Sequence, residues 1–249
     1  MKKIEKPVEI EDGDSFKIIL SKYGALALDK QENLSELIGE TIGDLDLENG
    51  SISFDDIKMP IQVLGFYSQD LNQWSWAWDC EEIFGAELIS SAVEIKEIGD
   101  KFNVPEFNSP LIKTDFNFCH PIAMTATAIL GFDAYYAVSE EGLDIFVAIK
   151  SDLIKENNDV KKFRDTFYTF QKNFNVFPKI AFESYTKLKG YGFKPHDGFY
   201  LAKIGESRVM AGFTERGNIT RILMFGEDEQ WYYESGFSRW IWIYEGFAR

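Results

Sequence analysis

The sequence predicts an α+β protein: a mainly antiparallel sheet with helices packed on it, built as two helix-plus-meander lobes or as one fused sheet. Three observations carry this. Apolar residues recur at helical spacing over 16–38. Short runs rich in β-branched and aromatic residues alternate with turn residues in both halves. Each half runs from helix to meander, the order that segregates helices to one face of an antiparallel sheet. The 249 residues, 45% hydrophobic and 16% aromatic, suffice for a packed core.

The first helix is expected over 16–38, with Asp14 or Ser15 as its cap and Gly39 at its end. Phe16, Ile19, Leu20, Tyr23, Ala27, Leu34 and Leu37 form one stripe, which Gly24 weakens. The Asn49-Gly50 pair within 46–52 signals a hairpin. Strands follow at 61–68 and 73–79, then a helix over 85–101 with Leu88, Ala92, Ile95 and Gly99 inward. Two prolines make 103–114 a loop. A short helix over 121–130 is apolar all round, with Pro121 in its first turn and Gly131 past its end, so burial is expected. Segments 133–138 and 143–149 form a hairpin turning at 140–142.

The polar stretch 151–159 is the expected boundary between residues 1–150 and 151–249. Helices are expected at 160–174 and 178–189, a turn at His196-Asp197-Gly198, and strands at 199–204, 207–213, 218–225, 230–234 and 239–245. The tryptophan-rich strands of the two halves align without gaps, a weak internal repeat: Tyr67, Trp74, Trp76 and Trp78 fall against Tyr233, Trp240, Trp242 and Tyr244.

Composition narrows the function classes. A net charge of −15 repels phosphate backbones and anionic lipid, so neither nucleic acid nor membrane is expected as a partner, and a basic protein is. The longest apolar runs fall short of the ~20 residues of a membrane-spanning helix. The charged N-terminus lacks a signal peptide's apolar stretch. Two cysteines, Cys80 and Cys119, are too few for a disulfide framework, which suits a reducing cytoplasm. Walker, dinucleotide, Gly-x-Ser-x-Gly and His-Glu-x-x-His motifs are all missing, and no cofactor or metal is expected.

Candidate site residues are of four kinds. Trp74, Trp76 and Trp78 share one strand face, with Ser75 and Ala77 opposite; such a row is core more often than a stacking surface for ligand, and Trp240, Trp242 and Tyr244 read the same way. Cys119-His120-Pro121 opens the apolar helix, whose N-terminus favours thiolate over thiol, yet burial there is expected to leave Cys119 unreactive. Asp79, Glu81 and Glu82 cluster where strand passes to helix; paired carboxylates can do acid–base work, though complementing a helix dipole is the commoner role. Glu40, Asp44, Asp46 and Glu48 sit in residues 31–56, which hold eight acids and no base, a docking face for a basic partner. Asp44, Asp46 and Glu48 are similar to a calcium loop, but Asn49 replaces its glycine and Asp55 its glutamate, so a strand turn explains them better.

Around Trp74-Ser75-Trp76-Ala77-Trp78 the chain resembles an uncharacterised, mainly bacterial domain family of unknown function with a Trp-x-Trp-Ala-Trp motif. The resemblance takes in Lys30-Gln31, Val63-Leu64-Gly65, 102–106 and 129–136, and more loosely 213–219, where Thr214 and Asn218 depart from the pattern; Asp79-Cys80 departs as well. It implies a fold unit over roughly 15–225 and no activity. The function expected is a non-enzymatic binding or interaction protein, in its specific form an immunity-type inhibitor of a basic toxin or enzyme. The alternative is a small-molecule-binding protein or hydrolase with a pocket near His120 or Asp79.

Overall fold

In a computed structural model, which describes residues 8–226, helix α1 (Phe16–Ile38) forms as expected and ends at Gly39, whose φ of 60° suits glycine. Ser15 takes the N-cap position, but neither it nor Asp14 caps the helix through its side chain; Asp14 instead accepts from Lys22 Nζ at 2.5 Å. The expected stripe is buried except for the half-buried Leu37, and so is a second face of Ser21, Gly24, Ala25, Asp29 and Asn33. The reason is that α1 lies between α5 (Phe116–Ile129) on one side and α6 (Val160–Asn173) and α7 (Pro178–Leu188) on the other. Gly24 is what lets α6 close in: a Cβ there would stand 2.5 Å from the Phe170 ring.

A seven-stranded antiparallel sheet is threaded by the long strand β3 (Ile57–Ser68). Its first residues pair with β2 (Ser51–Phe54), itself flanked by β1 (Asp44–Asp46). Its later residues pair with β7 (Leu143–Ile149) on one side and β4 (Gln73–Trp76) on the other, with β6 (Ala134–Glu140) beyond β7 and β5 (Leu111–Lys113) beyond β4. Gly65 permits the close β3–β4 approach, since a Cβ there would meet Ser75 O at 2.4 Å. The β6–β7 turn holds Glu141 and Gly142 at φ 45° and 87°, as a two-residue primed turn requires. The Asn49-Gly50 hairpin instead closes through four residues, because Asp46 accepts from both Asn49 N and Nδ2 and fixes a wider loop.

Several expected boundaries move. The tryptophan strand stops at Trp76, where Trp76 N turns to Pro110 O, and Ala77–Asp79 makes a 3₁₀ turn. Trp78 therefore leaves the face that Trp74 and Trp76 share. The helix expected from 85 begins at Ser90 (α3, Ser90–Phe102), after a short α2 (Glu81–Phe84); the intervening Leu88 O is taken by Val63 N. The expected loop 103–114 contains α4 (Pro105–Asn108), opened by its proline, and β5. Helix α5 starts at Phe116, capped by Asp115 Oδ1 from Phe118 N at 3.1 Å, so Pro121 lies inside it. An interior proline costs about 3 kcal/mol; the near-continuous burial of Cys119 and residues 121–128 outweighs it.

The second sheet is antiparallel, in the order β11 (Ile219–Phe225), β10 (Ser207–Phe213), β9 (Phe199–Ile204), β8 (Gly192–His196). Strand β8 was not expected from Gly192-Phe193-Lys194-Pro195-His196; an outer strand tolerates the proline that an inner one would reject. One core cluster runs from Phe16 through both sheets to Phe213, and a small second one, Phe199, Leu201, Met210 and Phe225, covers the other face of the second sheet. Among the described residues no helix is long and apolar enough to cross a membrane. The strands expected at 230–234 and 239–245, with Trp240, Trp242 and Tyr244 and their half of the repeat, lie outside the described residues.

Candidate functional site

Cross-strand register assembles the most distinctive polar group. Tyr67 on β3 faces Asp144 on β7, and Asp144 faces Ser139 on β6, so three polar side chains stand in a row on one sheet face. Gln69 joins them from the same edge. Asp144 is only 3% exposed. Its carboxylate accepts from Gln69 Nε2 at 3.1 Å and from the Ser139 hydroxyl in a shorter bond. No lysine or arginine of the described residues pairs with it. A cleft of about 320 Å³ opens over this row, lined by Tyr67, Gln69, Phe116, Ser139 and Asp144.

Phe116, the first residue of α5, packs edge-on against His120 one turn later, ring centroids 4.9 Å apart. His120 also meets Phe146 at 5.5 Å, and its Nδ1 lies 3.1 Å from the Tyr135 hydroxyl. Burial lowers the His120 pKa, opposed by the Asp144 charge, and burial pushes the Tyr135 phenol up to about 12. Cys119 is fully buried as the fourth residue of α5, at the close of its first turn; burial first, then Asp115 and Asp144, pushes its thiol up to about 12. Its Sγ is held 3.6 Å from Asp115 O. Ser139, His120 and Cys119 each have separate partners, so no relay from nucleophile to base connects them. The arrangement suits binding through a buried anion.

The remaining expected site residues lie apart from this cleft. Trp74 and Trp76 are fully buried, their rings 5.2 Å apart and near perpendicular, and Trp76 Nε1 donates to Glu106 O at 2.9 Å. Trp78 is half-buried under Lys96 Nζ, 5.1 Å from its ring centroid. Asp79, Glu81 and Glu82 are exposed. Glu40, Asp44 and Glu48 are exposed around the β1–β2 hairpin, while Asp46 is half-buried and 3.5 Å from Lys58. Between Glu40 and Asp44, Ile42 is 83% exposed. Among the described residues no group of three or more metal-ligating side chains comes together.

A second cleft, about 450 Å³, lies between α1 and α6 and is walled by Glu32, Glu36, Lys161, Lys162 and Asp165. Below it Asp29, 1% exposed, meets Lys189 Nζ at 2.8 Å and Lys162 Nζ at 3.6 Å. Burial raises Glu32, which accepts from Thr166.

Sequence reasoning missed Asp144 and Asp29. Asp144 left one signal, a lone acid in the otherwise apolar run 143–149. The family is decided by a match over residues 19–152, just over half of the 249. The chain belongs to DUF6882, a family of unknown function. The DUF6882 match takes in α1 through β7, and with them Asp144, His120 and the hairpin acids. No curated protein and no solved structure matches the chain.

Proposed function

We propose that this DUF6882 protein is a non-enzymatic interaction protein that docks a basic partner on the acidic end of its first sheet, around Glu40, Asp44, Asp46 and Glu48. The observation that carries this is Ile42, 83% exposed between two exposed acids. An apolar anchor inside a charged rim is the usual anatomy of a protein interface. Glu40, Asp44, Glu48, Asp55 and Asp56 are exposed, and no lysine or arginine of the described residues pairs with them, which leaves their field free to steer a cationic surface. Among the described residues strand β1 is outermost in its sheet, which adds an edge for backbone pairing.

The specific form is an immunity-type inhibitor of a basic toxin or enzyme, acting in a reducing cytoplasm; the two cysteines are free, which agrees with that compartment. On this reading residues 1–150 form the unit that carries the docking face, and 151–249 form a second unit. A bacterial source, and the Trp-x-Trp-Ala-Trp segment as a mark of the family, belong to the same proposal.

The experiment is affinity capture from native lysate, identification of the captured chain, and stopped-flow association of the purified pair. The captured chain is expected to be basic. Replacing Glu40 and Glu48 by Gln and Asp44 and Asp46 by Asn is expected to slow association about tenfold or more at low salt, and to flatten its salt dependence. An unchanged rate, or an acidic partner, overturns the proposal.

A further inference from the structure

The cleft over Asp144 is chemically unlike the acidic hairpin and lies away from it. Along β3, roughly 3.3 Å per residue puts Tyr67 about 23 Å from Pro60, which pairs with β2. A carboxylate 3% exposed and met, among the described residues, only by the neutral donors Gln69 and Ser139 has lost hydration without gaining a counter-charge from any of them. The nearby N-terminus of α5 does not supply that charge directly, because Asp115 caps it from Phe118 N. The walls beside Asp144 are the rings of Tyr67 and Phe116, centroids 5.7 Å apart. A deeply set anion, two aromatic faces and a volume near the small end of ligand sites together select a compact organic cation. A metal ion fits poorly: a single carboxylate among neutral groups falls short of the oxygen set that calcium or magnesium requires.

We propose that this cleft binds a small organic ammonium ion, its charge on the Asp144 carboxylate and its carbon atoms against the adjoining rings of Tyr67 and Phe116. The ammonium donates to Asp144 and, once seated, to the Tyr67 hydroxyl oxygen, which already faces Asn72 Oδ1 at 3.1 Å. Ser139 and Gln69 are positioning residues that hold the carboxylate's orientation.

The test is isothermal titration of the full chain with n-butylammonium chloride, set against n-butanol and sodium butyrate. Butylammonium is expected to bind, and the neutral and anionic isosteres are not. Asp144→Asn is expected to weaken butylammonium binding tenfold or more, the loss of a charge-assisted bond of about 1.5–3 kcal/mol. Phe116→Leu, which keeps the wall but removes its ring, should weaken it about threefold, the scale of an exposed cation–π contact. Phe116→Leu also keeps the question open to measurement if Asp144→Asn fails to fold. The Glu40, Asp44, Asp46 and Glu48 variant should bind butylammonium as wild type does, which separates this site from the docking face. Absence of binding by wild type at about 10 mM, equal binding of butanol, or undiminished binding by both Asp144→Asn and Phe116→Leu would overturn the assignment.

Discussion

Asp29 and Asp144 are buried to nearly the same degree, 1% and 3% exposed, but their electrostatic surroundings are opposite. Asp29 sits between two ammonium groups that are themselves nearly out of solvent, Lys189 at 4% and Lys162 at 9% exposure. Among the described residues Asp144 has only an amide and a hydroxyl. Asp29 joins three helices: it lies on α1, Lys162 on α6, and Lys189 just past the end of α7. Asp144 lies at the start of a strand under an open cleft. Burial alone therefore does not say what a carboxylate is for. One whose charge is answered inside the protein holds elements together, and one whose charge is unanswered at the wall of a cleft is available to a ligand.

The largest effect that this contrast predicts is on stability. Asp29→Asn leaves the buried Lys189 ammonium facing an uncharged amide and Lys162 with the exposed Glu36 alone, and should cost about 3 kcal/mol. Asp144→Asn strands no cation, and the freed Ser139 hydroxyl can turn toward the cleft, so about 1 kcal/mol or less is expected. Urea unfolding of the two variants beside wild type measures both. Equal losses would break the comparison by showing that Asp144 is as structural as Asp29.

A smaller effect separates the two lysines. Lys189 makes the closer contact, 2.8 Å against 3.6 Å, and Asp29 is its only ion-pair partner among the described residues. Lys162 is shared with Asn33 and Glu36. Lys189→Met should cost about 2 kcal/mol and Lys162→Met about 1. In Asp29→Asn the Lys189→Met change should cost far less than it does in wild type, and a double-mutant cycle reads that coupling. An additive pair would mean that Asp29 and Lys189 are merely neighbours.

These two carboxylates also mark where the sequence stops being legible. Helix α1 was readable to the residue, because its stripe repeats at helical spacing and Gly39 closes it. Asp29 was not, because stripe counting assumes one buried face and α1 has two; the second is built from Ser21, Gly24, Ala25 and Asn33, small or polar residues that carry no apolar periodicity. The β6–β7 hairpin was legible from its turn, yet the Tyr67–Asp144–Ser139 row depends on β3 pairing with β7, a long-range register that local pattern does not encode. The tryptophan strand was overextended by three residues because alternation continues through Ala77 and Trp78, while the ladder ends opposite Gly65. The start of α5 was placed late because Pro121 imitates a first-turn proline; Asp115 is the true cap.

The smallest predicted effect concerns pH, and it tests how far the field of Asp144 reaches. His120 titrates below its ordinary value because burial disfavours imidazolium, with Asp144 pulling the other way. Tyr135, its phenol pushed up to about 12, stays protonated and can donate to the neutral ring at Nδ1, a bond imidazolium cannot accept. The surrounding Phe116 and Phe146 rings carry no charge. Above about pH 6.5 both folded and unfolded chains hold this histidine neutral, and its contribution to stability is full. As pH falls below that value the unfolded chain takes up the proton first, so stability is lost until the lower folded pKa is passed. His196 is also lowered by burial and has the same sign, whereas Glu32, raised by burial, has the opposite one, so the wild-type slope alone cannot isolate His120. The difference between wild type and His120→Gln can, because glutamine keeps an acceptor for Tyr135 and does not titrate. His120→Gln should lose less stability than wild type as pH falls below about 6.5. Adding Asp144→Asn should steepen the wild-type loss, since it removes the one charge that favours imidazolium. A steeper loss in His120→Gln, or no response to Asp144→Asn, would mean that Asp144 does not act on His120 across this face of the sheet.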